Sequence, residues 1–253
     1  MSLSQEAERL RRTTLSALST DADRSQRLRL RVGAVYADFS RQLLDGAALD
    51  ELLASAEAVG LDRWRRALAT GESLNNTEAR PALHHAVRAG GDDVQDGPIR
   101  AAQAAAADAC VRVQGWVERL LNDGFGDGHV LRDVVNIGIG GSDLGPRLLD
   151  EAIADPADSP RLHFVSSVDA HRAADLMARL DPATTLVVLV SKSFGTEETL
   201  LNGRLFIDWL RAALDDAAMR RRVFAVTANV EAAERFGVDA TRCLPIWEWV
   251  GGR

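Results

Sequence analysis

Residues 133–154 read DVVNIGIGGSDLGPRLLDEAIA, and this stretch decides the fold. A short apolar, β-branched run (133–139) leads into closely spaced glycines, and PRLLDEAIA then follows with helical spacing. Similar apolar runs recur at 162–166, 185–191 and 223–228, with helical segments between them. Strand–helix–strand alternation of this kind predicts a parallel sheet that helices cover on both faces.

The part of the chain before this alternation has a different pattern. Residues 1–128 are rich in alanine, leucine and arginine and contain few β-branched runs, which predicts a mainly helical N-terminal region. The clearest helix is IRAAQAAAADACVRVQGWVERLLNDG (99–124), where apolar residues recur at three- and four-residue steps. We therefore expect an α/β protein in which residues 129–253 form an αβα sandwich after the helical region.

The composition favours a cytoplasmic protein that binds neither nucleic acid nor membranes. The net charge of −7 argues against a nucleic-acid interface, which needs a basic surface. No apolar run approaches the roughly 18 residues of a membrane helix, and MSLSQEAERLRR lacks the apolar core of a signal peptide. Cys110 and Cys243 have no CxxC or Cys/His spacing, so neither a disulfide framework nor a metal site is expected. Three arginine clusters are typical of solvated helix faces: RLRLR (27–31), RWRR (63–66) and RRR (220–222).

The glycine loop IGIGGSDLGP (137–146) lies between a predicted strand and a predicted helix. Glycine lets a ligand approach the backbone closely, and the helix that follows offers unpaired N–H groups to an anion. A dinucleotide fingerprint that starts at Gly138 would need glycine where Asp143 stands. Asp169, however, ends the next strand roughly where a ribose-binding acid would lie. A nucleotide-dependent oxidoreductase and a turn without any ligand therefore remain alternatives.

A second loop, SKSFGTEET (191–199), follows the third predicted strand and is called the hydroxyl loop below. It holds four hydroxyl side chains and Lys192, the one lysine among 30 basic residues. Ser193 or Thr196 could simply cap the helix that follows. That alternative explains one hydroxyl, whereas hydroxyls, backbone N–H groups and a cation together predict a phosphate site. The loop lacks the GxxxxGK[ST] pattern of a nucleotide P-loop.

Four stretches resemble, in the same order, motifs of the phosphoglucose isomerase (glucose-6-phosphate isomerase) family. They are LNNTEARPALHHAVR (74–88), VVNIGIGGSDLGP (134–146), SKSFGTEET (191–199) and WEWVGGR (247–253). The resemblance implies a sugar-isomerase (SIS-type) α/β domain in residues 129–253, with a sugar phosphate as substrate and no cofactor. It also implies a homodimeric parent enzyme that interconverts glucose 6-phosphate and fructose 6-phosphate through an enediolate.

The resemblance also implies roles for particular residues. Four residues of the hydroxyl loop would surround the substrate phosphate: Ser191, Lys192, Ser193 and Thr196. Three residues of the glycine loop would line the sugar and the phosphate: Gly140, Gly141 and Ser142. Arg253 would lie beside the reacting carbons as the catalytic arginine. The chain departs from the family pattern at Ser193 and Gly195, where the family usually has threonine, and at Glu197, where glutamine is common.

The same resemblance bears on how much of an enzyme this chain contains. In the family, a glutamate removes the proton, a histidine assists ring opening and a lysine contributes late, and all three follow the GGR motif. We therefore expect an N-terminal portion that lacks the second SIS domain and is inactive alone. The alternative is a non-catalytic SIS-type sensor that binds sugar phosphates and regulates a partner.

Overall fold

The computed structural model describes residues 2–88, 97–153 and 159–251. The chain divides into two compact units, Met1–Ala69 and Thr70–Arg253. Within the described residues, no helix combines the length and the hydrophobicity needed to cross a bilayer. The boundary near residue 128, which the change in sequence pattern suggests, stays a prediction.

The first unit contains helices and one hairpin. Its elements are α1 (Leu3–Arg11), α2 (Leu15–Leu18), α3 (Ala22–Arg27), β1 (Arg29–Val32), β2 (Val35–Asp38), α4 (Gly46–Ala58) and α5 (Leu61–Thr70). The hairpin corrects the interpretation of RLRLR as a helix face, because its last three residues belong to strand β1. Arginine and leucine alternate there with a period of two, which suits a strand. Gly33 adopts φ +57° in the turn, a conformation that glycine reaches without strain.

The second unit is a parallel sheet with helices. Its elements are α6 (Pro98–Asp123), β3 (Asp133–Ile137), α7 (Gly141–Ile153), β4 (Arg161–Val165), α8 (Ala170–Met177), β5 (Thr185–Val190), α9 (Glu197–Ala213), α10 (Asp216–Arg221), β6 (Val223–Thr227), α11 (Val230–Phe236) and β7 (Cys243–Pro245). The strands lie in the order β4-β3-β5-β6-β7, and every neighbouring pair is parallel. The predicted α/β class is confirmed. Strand β7 was not predicted, because three residues that end in proline give almost no strand signal.

Alternate residues of the central strands pack on opposite faces of the sheet. On one face, Val187 and Leu189 of β5 are fully buried in the main core with Phe206 of α9. On the other face, Leu186 packs in a second cluster with Leu120 of α6. Both faces of the sheet are therefore covered, and the strands are apolar throughout, as buried parallel strands require.

Arg222, immediately before β6, is fully buried, which corrects the interpretation of RRR (220–222) as a solvated helix face. Its guanidinium donates to Asp127 Oδ2 at 2.7 Å and to the carbonyl oxygens of Ala183 at 2.7 Å and Ala218 at 2.9 Å. It also lies over the ring of Phe125, 4.2 Å from its centre. A buried charge is tolerable only when it is paired and hydrogen-bonded in this way.

The same ion pair predicts a loss of stability in acid. The hydrogen bond from Arg222 lowers the pKa of Asp127 from 3.8 to about 2, against the opposing effect of desolvation. Because the folded-state pKa is depressed, the stabilisation is complete above about pH 4 and is lost as the pH falls towards 2. This contribution amounts to about 2 kcal/mol. Urea unfolding measures the free energy of unfolding at pH values between 6 and 3. This free energy should fall less steeply with decreasing pH for Asp127→Asn than for the unchanged chain. An equal fall in both proteins would contradict the prediction.

Candidate functional site

The two predicted loops lie at the point where the strand order reverses. Strand β3 has β4 on one side and β5 on the other, so the chain first moves to one edge and then crosses back. The glycine loop follows β3 and the hydroxyl loop follows β5, which pair in register up to Ile137 and Leu189. Ligands of open parallel sheets bind beyond the carboxyl ends of the strands at such a reversal point.

The glycine loop packs tightly against the end of strand β5 at Gly138. A side-chain carbon at Gly138 would lie 2.8 Å from Ser142 Cβ and 3.0 Å from the carbonyl oxygen of Val190. Asn136, buried in β3, donates its amide to the carbonyl oxygen of Ser142 at 3.0 Å. Gly140 has φ +63°, which turns the chain into α7. The loop is thus held against the end of β5.

We predict that Gly138→Ala lowers the free energy of unfolding by about 1 to 3 kcal/mol, because the added carbon overlaps backbone that cannot move independently. Gly141→Ala is the matched control, since a carbon there meets nothing within 4 Å. We expect the control to stay within about 0.5 kcal/mol of the unchanged chain. Urea unfolding of both variants checks this, and equal stability of the two would contradict it.

The two positions that matter for the dinucleotide alternative hold acidic side chains with other partners in the protein. Asp143, where the fingerprint needs glycine, is buried and pairs with Arg147 at 2.7 Å. Asp169 caps helix α8 by accepting from the backbone N–H groups of His171 at 3.1 Å and Arg172 at 3.2 Å. These contacts favour a ligand other than a dinucleotide.

Hydroxyls converge at the start of the hydroxyl loop. Ser191 is buried, and its Oγ lies 3.3 Å from Thr196 Oγ1. Thr196 occupies the N-cap position of α9, but its side chain caps no backbone N–H group. The N-cap alternative is thus confirmed for the position of Thr196, while its hydroxyl is not used for capping. The N-terminus of this 17-residue helix thus lies beside a pair of hydroxyls, which suits an anion.

The hydroxyl loop is anchored by a residue with unusual backbone geometry. Phe194 has φ +52°, a sparsely populated conformation for a bulky residue. Its ring is buried against Phe236, with ring centres 5.6 Å apart. The carbonyl oxygen of Lys192 accepts from Ala228 N at 2.9 Å, and that of Ser193 accepts from Asn229 Nδ2 at 3.2 Å. These contacts fix the loop backbone while the Ser193 side chain stays exposed.

The Lys192 ammonium is partly buried and already has protein partners. Its Nζ donates to the carbonyl oxygen of Val250 at 2.9 Å and lies 3.7 Å from Glu78 Oε1. Glu197 and Glu198 are exposed in the first turn of α9. Lys192 therefore connects three segments: the hydroxyl loop, residues 74–88 and residues 247–251.

Residues 74–88 pack along residues 247–251, which belong to the WEWVGGR motif. Arg80 forms an ion pair with Glu248, and His84 Nε2 accepts from Gly251 N at 3.0 Å. The His84 ring also meets Trp249 edge-on, with ring centres 6.5 Å apart. The sequence gives no sign that His84 belongs to this cluster of contacts, because its partner lies 167 positions away.

The predicted site residues fall into three groups. The hydroxyl-loop and glycine-loop residues lie at neighbouring strand ends, and Ser191 and Thr196 are in direct contact. Arg253, the predicted catalytic arginine, lies outside the described residues.

Within the described residues, no group of three or more histidine, cysteine or acidic side chains could hold a metal ion.

A cavity of about 500 Å³ lies elsewhere, between α7, β4 and α8. Charged groups of both signs line it, among them Arg147, Asp150 and Arg172. The predicted site residues of the two loops do not line this cavity. The loops remain the predicted site because they lie at the reversal point of the sheet, whereas the cavity lies beside edge strand β4.

Comparisons with known proteins show which family the chain resembles. The sequence profile described as phosphoglucose isomerase matches residues 38–253. A glucose-6-phosphate isomerase of Stenotrophomonas maltophilia (strain R551-3) is 44% identical over 256 residues, which cover 100% of this chain and 48% of that protein. The glucose-6-phosphate isomerase of Xanthomonas campestris pv. campestris (strain B100) is 42% identical over 251 residues, which cover 98% of this chain and 47% of that protein. The chain thus spans about half the length of the curated relatives it matches.

Solved structures show the same similarity. A glucose-6-phosphate isomerase from Chlamydia trachomatis D/UW-3/Cx superposes with a TM-score of 0.77 at 27% identity, and the match covers 95% of this chain and 46% of that one. A hypothetical protein from Thermus thermophilus superposes with a TM-score of 0.55 at 26% identity, covering 82% of this chain and 43% of that one.

Proposed function

Because this chain belongs to the phosphoglucose isomerase family, we propose that it provides the sugar-phosphate-binding half of an enzyme that interconverts glucose 6-phosphate and fructose 6-phosphate. The observation that carries this proposal is that the glycine loop and the hydroxyl loop flank the reversal point of the sheet. Both loops lie in motifs that resemble the family, and both lie within the residues that match relatives named glucose-6-phosphate isomerase.

The phosphate is the part of the substrate that this chain explains best. In our proposal, the hydroxyls of Ser191, Ser193 and Thr196 donate to the phosphate oxygens at the N-terminus of α9. Lys192 adds a positive charge, and hydrogen bonds between charged groups and a dianion are about twice as strong as neutral ones. The glycine loop, through Gly140, Gly141 and Ser142, lines the other side. An open surface at Gly141 leaves room for the sugar.

The isomerisation itself moves a proton from C2 to C1 through an enediolate. Negative charge develops on the substrate oxygens, so a fixed positive group beside them lowers the barrier. We assign that role to Arg253, whose guanidinium remains charged at all working pH values. Abstraction of the proton needs a base within hydrogen-bond reach, and in the family the base follows the GGR motif. We therefore propose that this chain by itself binds the substrate without converting it.

Three further assignments accompany this proposal. Residues 129–253 form the SIS-type domain, and residues 1–128 form a mainly helical region before it. The complete enzyme is a homodimer. It works in the cytoplasm, as expected of an enzyme that acts on a sugar phosphate.

The test compares this chain with a chimera. The chimera joins this chain to the remaining part of the Stenotrophomonas maltophilia relative, that is, the part that has no counterpart in this chain. Calorimetry should detect fructose 6-phosphate binding by the chain alone, and a coupled assay should detect no glucose 6-phosphate. The folded chimera should convert one into the other. Turnover by the chain alone would overturn the proposal that this chain binds the substrate without converting it. A folded chimera that binds the sugar phosphate without turnover would instead favour a sensor.

A further inference from the structure

Three arginines from different elements of the second unit lie around one aromatic ring. Arg119 lies on α6, Arg221 is the last residue of α10, and Arg242 immediately precedes β7. The guanidinium carbons of Arg119 and Arg242 lie 4.2 and 5.4 Å from the centre of the Trp116 ring. We propose that this arginine cluster (Arg119, Arg221 and Arg242) is a second anion site, which binds the phosphate group of a small molecule.

The arginine cluster lies on the opposite edge of the sheet from the two loops. Strands β5, β6 and β7 are parallel neighbours, so they begin at one edge and end at the other. The hydroxyl loop follows the end of β5, whereas Arg221 and Arg242 come just before β6 and β7. A ligand of the arginine cluster is therefore not the substrate phosphate in the hydroxyl loop.

The acidic side chains nearest to the cluster already have other partners. Arg221 Nη2 lies 3.7 Å from Asp127 Oδ2, and that oxygen accepts from Arg222 at 2.7 Å. Arg242 Nη1 lies 3.7 Å from Oδ2 of the exposed Asp239, whose Oδ1 accepts two hydrogen bonds within its own turn. Both separations of 3.7 Å are longer than a hydrogen bond. The acids therefore leave Arg221 and Arg242 incompletely paired.

The positive charges of the cluster oppose one another. Burial lowers the pKa of the Arg242 guanidinium, and the charges of Arg221 and Arg119 lower it further, against the attraction of Asp239. Arginine nevertheless stays charged at working pH. The charged form of Arg242 is thus held in unfavourable surroundings, and a bound anion would offset both the burial and the repulsion.

Two donors of the cluster have no acceptor in the protein. The Nε–H groups of Arg221 and Arg242 are buried, and no atom of the described residues accepts a hydrogen bond from them. Arg119 differs, because its Nε donates to the carbonyl oxygen of Gly115 at 3.0 Å and its side chain is exposed. Buried donors in native proteins nearly always have a partner, and an ion is one way to supply it. An anion at the Nε edges of both guanidinium groups would do so.

The number of donors favours a phosphate group over a carboxylate. Each guanidinium presents two parallel N–H groups that match two oxygens of one anion. One arginine therefore occupies both oxygens of a carboxylate, whereas a phosphate group has further oxygens and a second charge for another arginine. Trp116 packs edge-on against Phe224, with ring centres 4.9 Å apart, so it supports the guanidinium groups. The net charge of −7 favours a small ligand over a nucleic acid.

The first experiment follows the arginine Nε–H signals of the unchanged chain by NMR during titration with inorganic phosphate. The signals of Arg221 and Arg242 should shift and saturate, because their Nε–H groups gain an acceptor. Sodium chloride at equal ionic strength should not shift them. In Lys192→Met, which removes the cation of the hydroxyl loop, the two signals should respond to phosphate as before. Their response therefore does not depend on the proposed function.

Three results of this titration would overturn the inference. They are phosphate shifts confined to the hydroxyl loop, equal shifts with sodium chloride, and no shift of either arginine signal at any phosphate concentration. Loss of the phosphate shifts in the hydroxyl loop alone would count against the proposed function and leave the arginine cluster supported.

The second experiment measures phosphate affinity in the Lys192→Met chain from the Arg221 Nε–H signal. Arg242→Gln should weaken binding at least about tenfold, because it removes charged hydrogen bonds to the anion. Arg119→Gln should weaken it about threefold, and this exposed position on α6 decides the question if Arg242→Gln does not fold. Arg235→Gln is the control, since Arg235 is exposed and pairs with Glu231 within α11. Unchanged affinity in the cluster variants, or equal weakening by the control, would overturn the inference.

Discussion

Replacing Arg222 by alanine lowers the free energy of unfolding by about 3 to 5 kcal/mol, which is the cost of breaking a buried ion pair by removing one partner. Asp127 would lose its partner at 2.7 Å, and the carbonyl oxygens of Ala183 and Ala218 would lose their donor. The guanidinium also packs over Phe125, so the variant leaves a cavity as well as unpaired polar groups. This side chain connects the start of β6 to the segment that precedes β3.

Urea unfolding followed by tryptophan fluorescence measures this effect. The matched control is Arg235→Ala, which removes an exposed arginine paired with Glu231 within α11. Exposed pairs of this kind contribute about 0.3 to 0.5 kcal/mol. If Arg222→Ala and Arg235→Ala change stability equally, the buried network does not have the role assigned to it.

Replacing Lys192 by methionine should weaken the binding of fructose 6-phosphate by about 10- to 100-fold. Methionine keeps much of the length of the side chain but removes the charge and its donors. A hydrogen bond to a charged group contributes about 1.5 to 3 kcal/mol, and each 1.4 kcal/mol changes affinity by about tenfold.

Calorimetry on the chain gives the affinity, and Arg211→Met provides the control. Arg211 lies in the last turn of α9, so this variant removes one positive charge from the far end of the same helix. We expect the control to bind as tightly as the unchanged chain. Equal weakening by both variants would mean that only the net charge matters, and it would contradict a phosphate site in the hydroxyl loop.

The sequence predicts the sheet well because buried parallel strands are continuous apolar runs. All four predicted strands are present within one or two residues of their expected ends. Strand β7 and the hairpin of β1 and β2 were missed for opposite reasons. The first is too short to give a pattern, whereas the alternation of arginine and leucine in the second was interpreted as a helix face although its two-residue period suits a strand.

Burial of charged residues was harder to predict than strand positions. RRR (220–222) has the composition of a solvated surface, yet Arg222 is completely buried. Its partner Asp127 lies 95 positions earlier in the chain. Local composition contains no information about a partner at that distance, so the interpretation was wrong for Arg222, although Arg220 is exposed on α10.

The same limit applies to the site: residues close together in sequence could be predicted, and contacts between distant segments could not. Each loop is continuous in sequence, and its glycines or hydroxyls indicate an anion site without any knowledge of the fold. Residues that act across segments give no such local signal, and His84 is an example. Its contact with Gly251 depends on how residues 74–88 pack against the segment 247–251.

The most direct test of the account is an amide chemical-shift map of this chain during titration with fructose 6-phosphate. We predict that the shifts concentrate in residues 138–142 and 191–199, and that unphosphorylated fructose at the same concentration leaves these amides unchanged. Shifts confined to the cavity between α7, β4 and α8, or no shifts up to millimolar concentration, would contradict a phosphate site at the reversal point of the sheet.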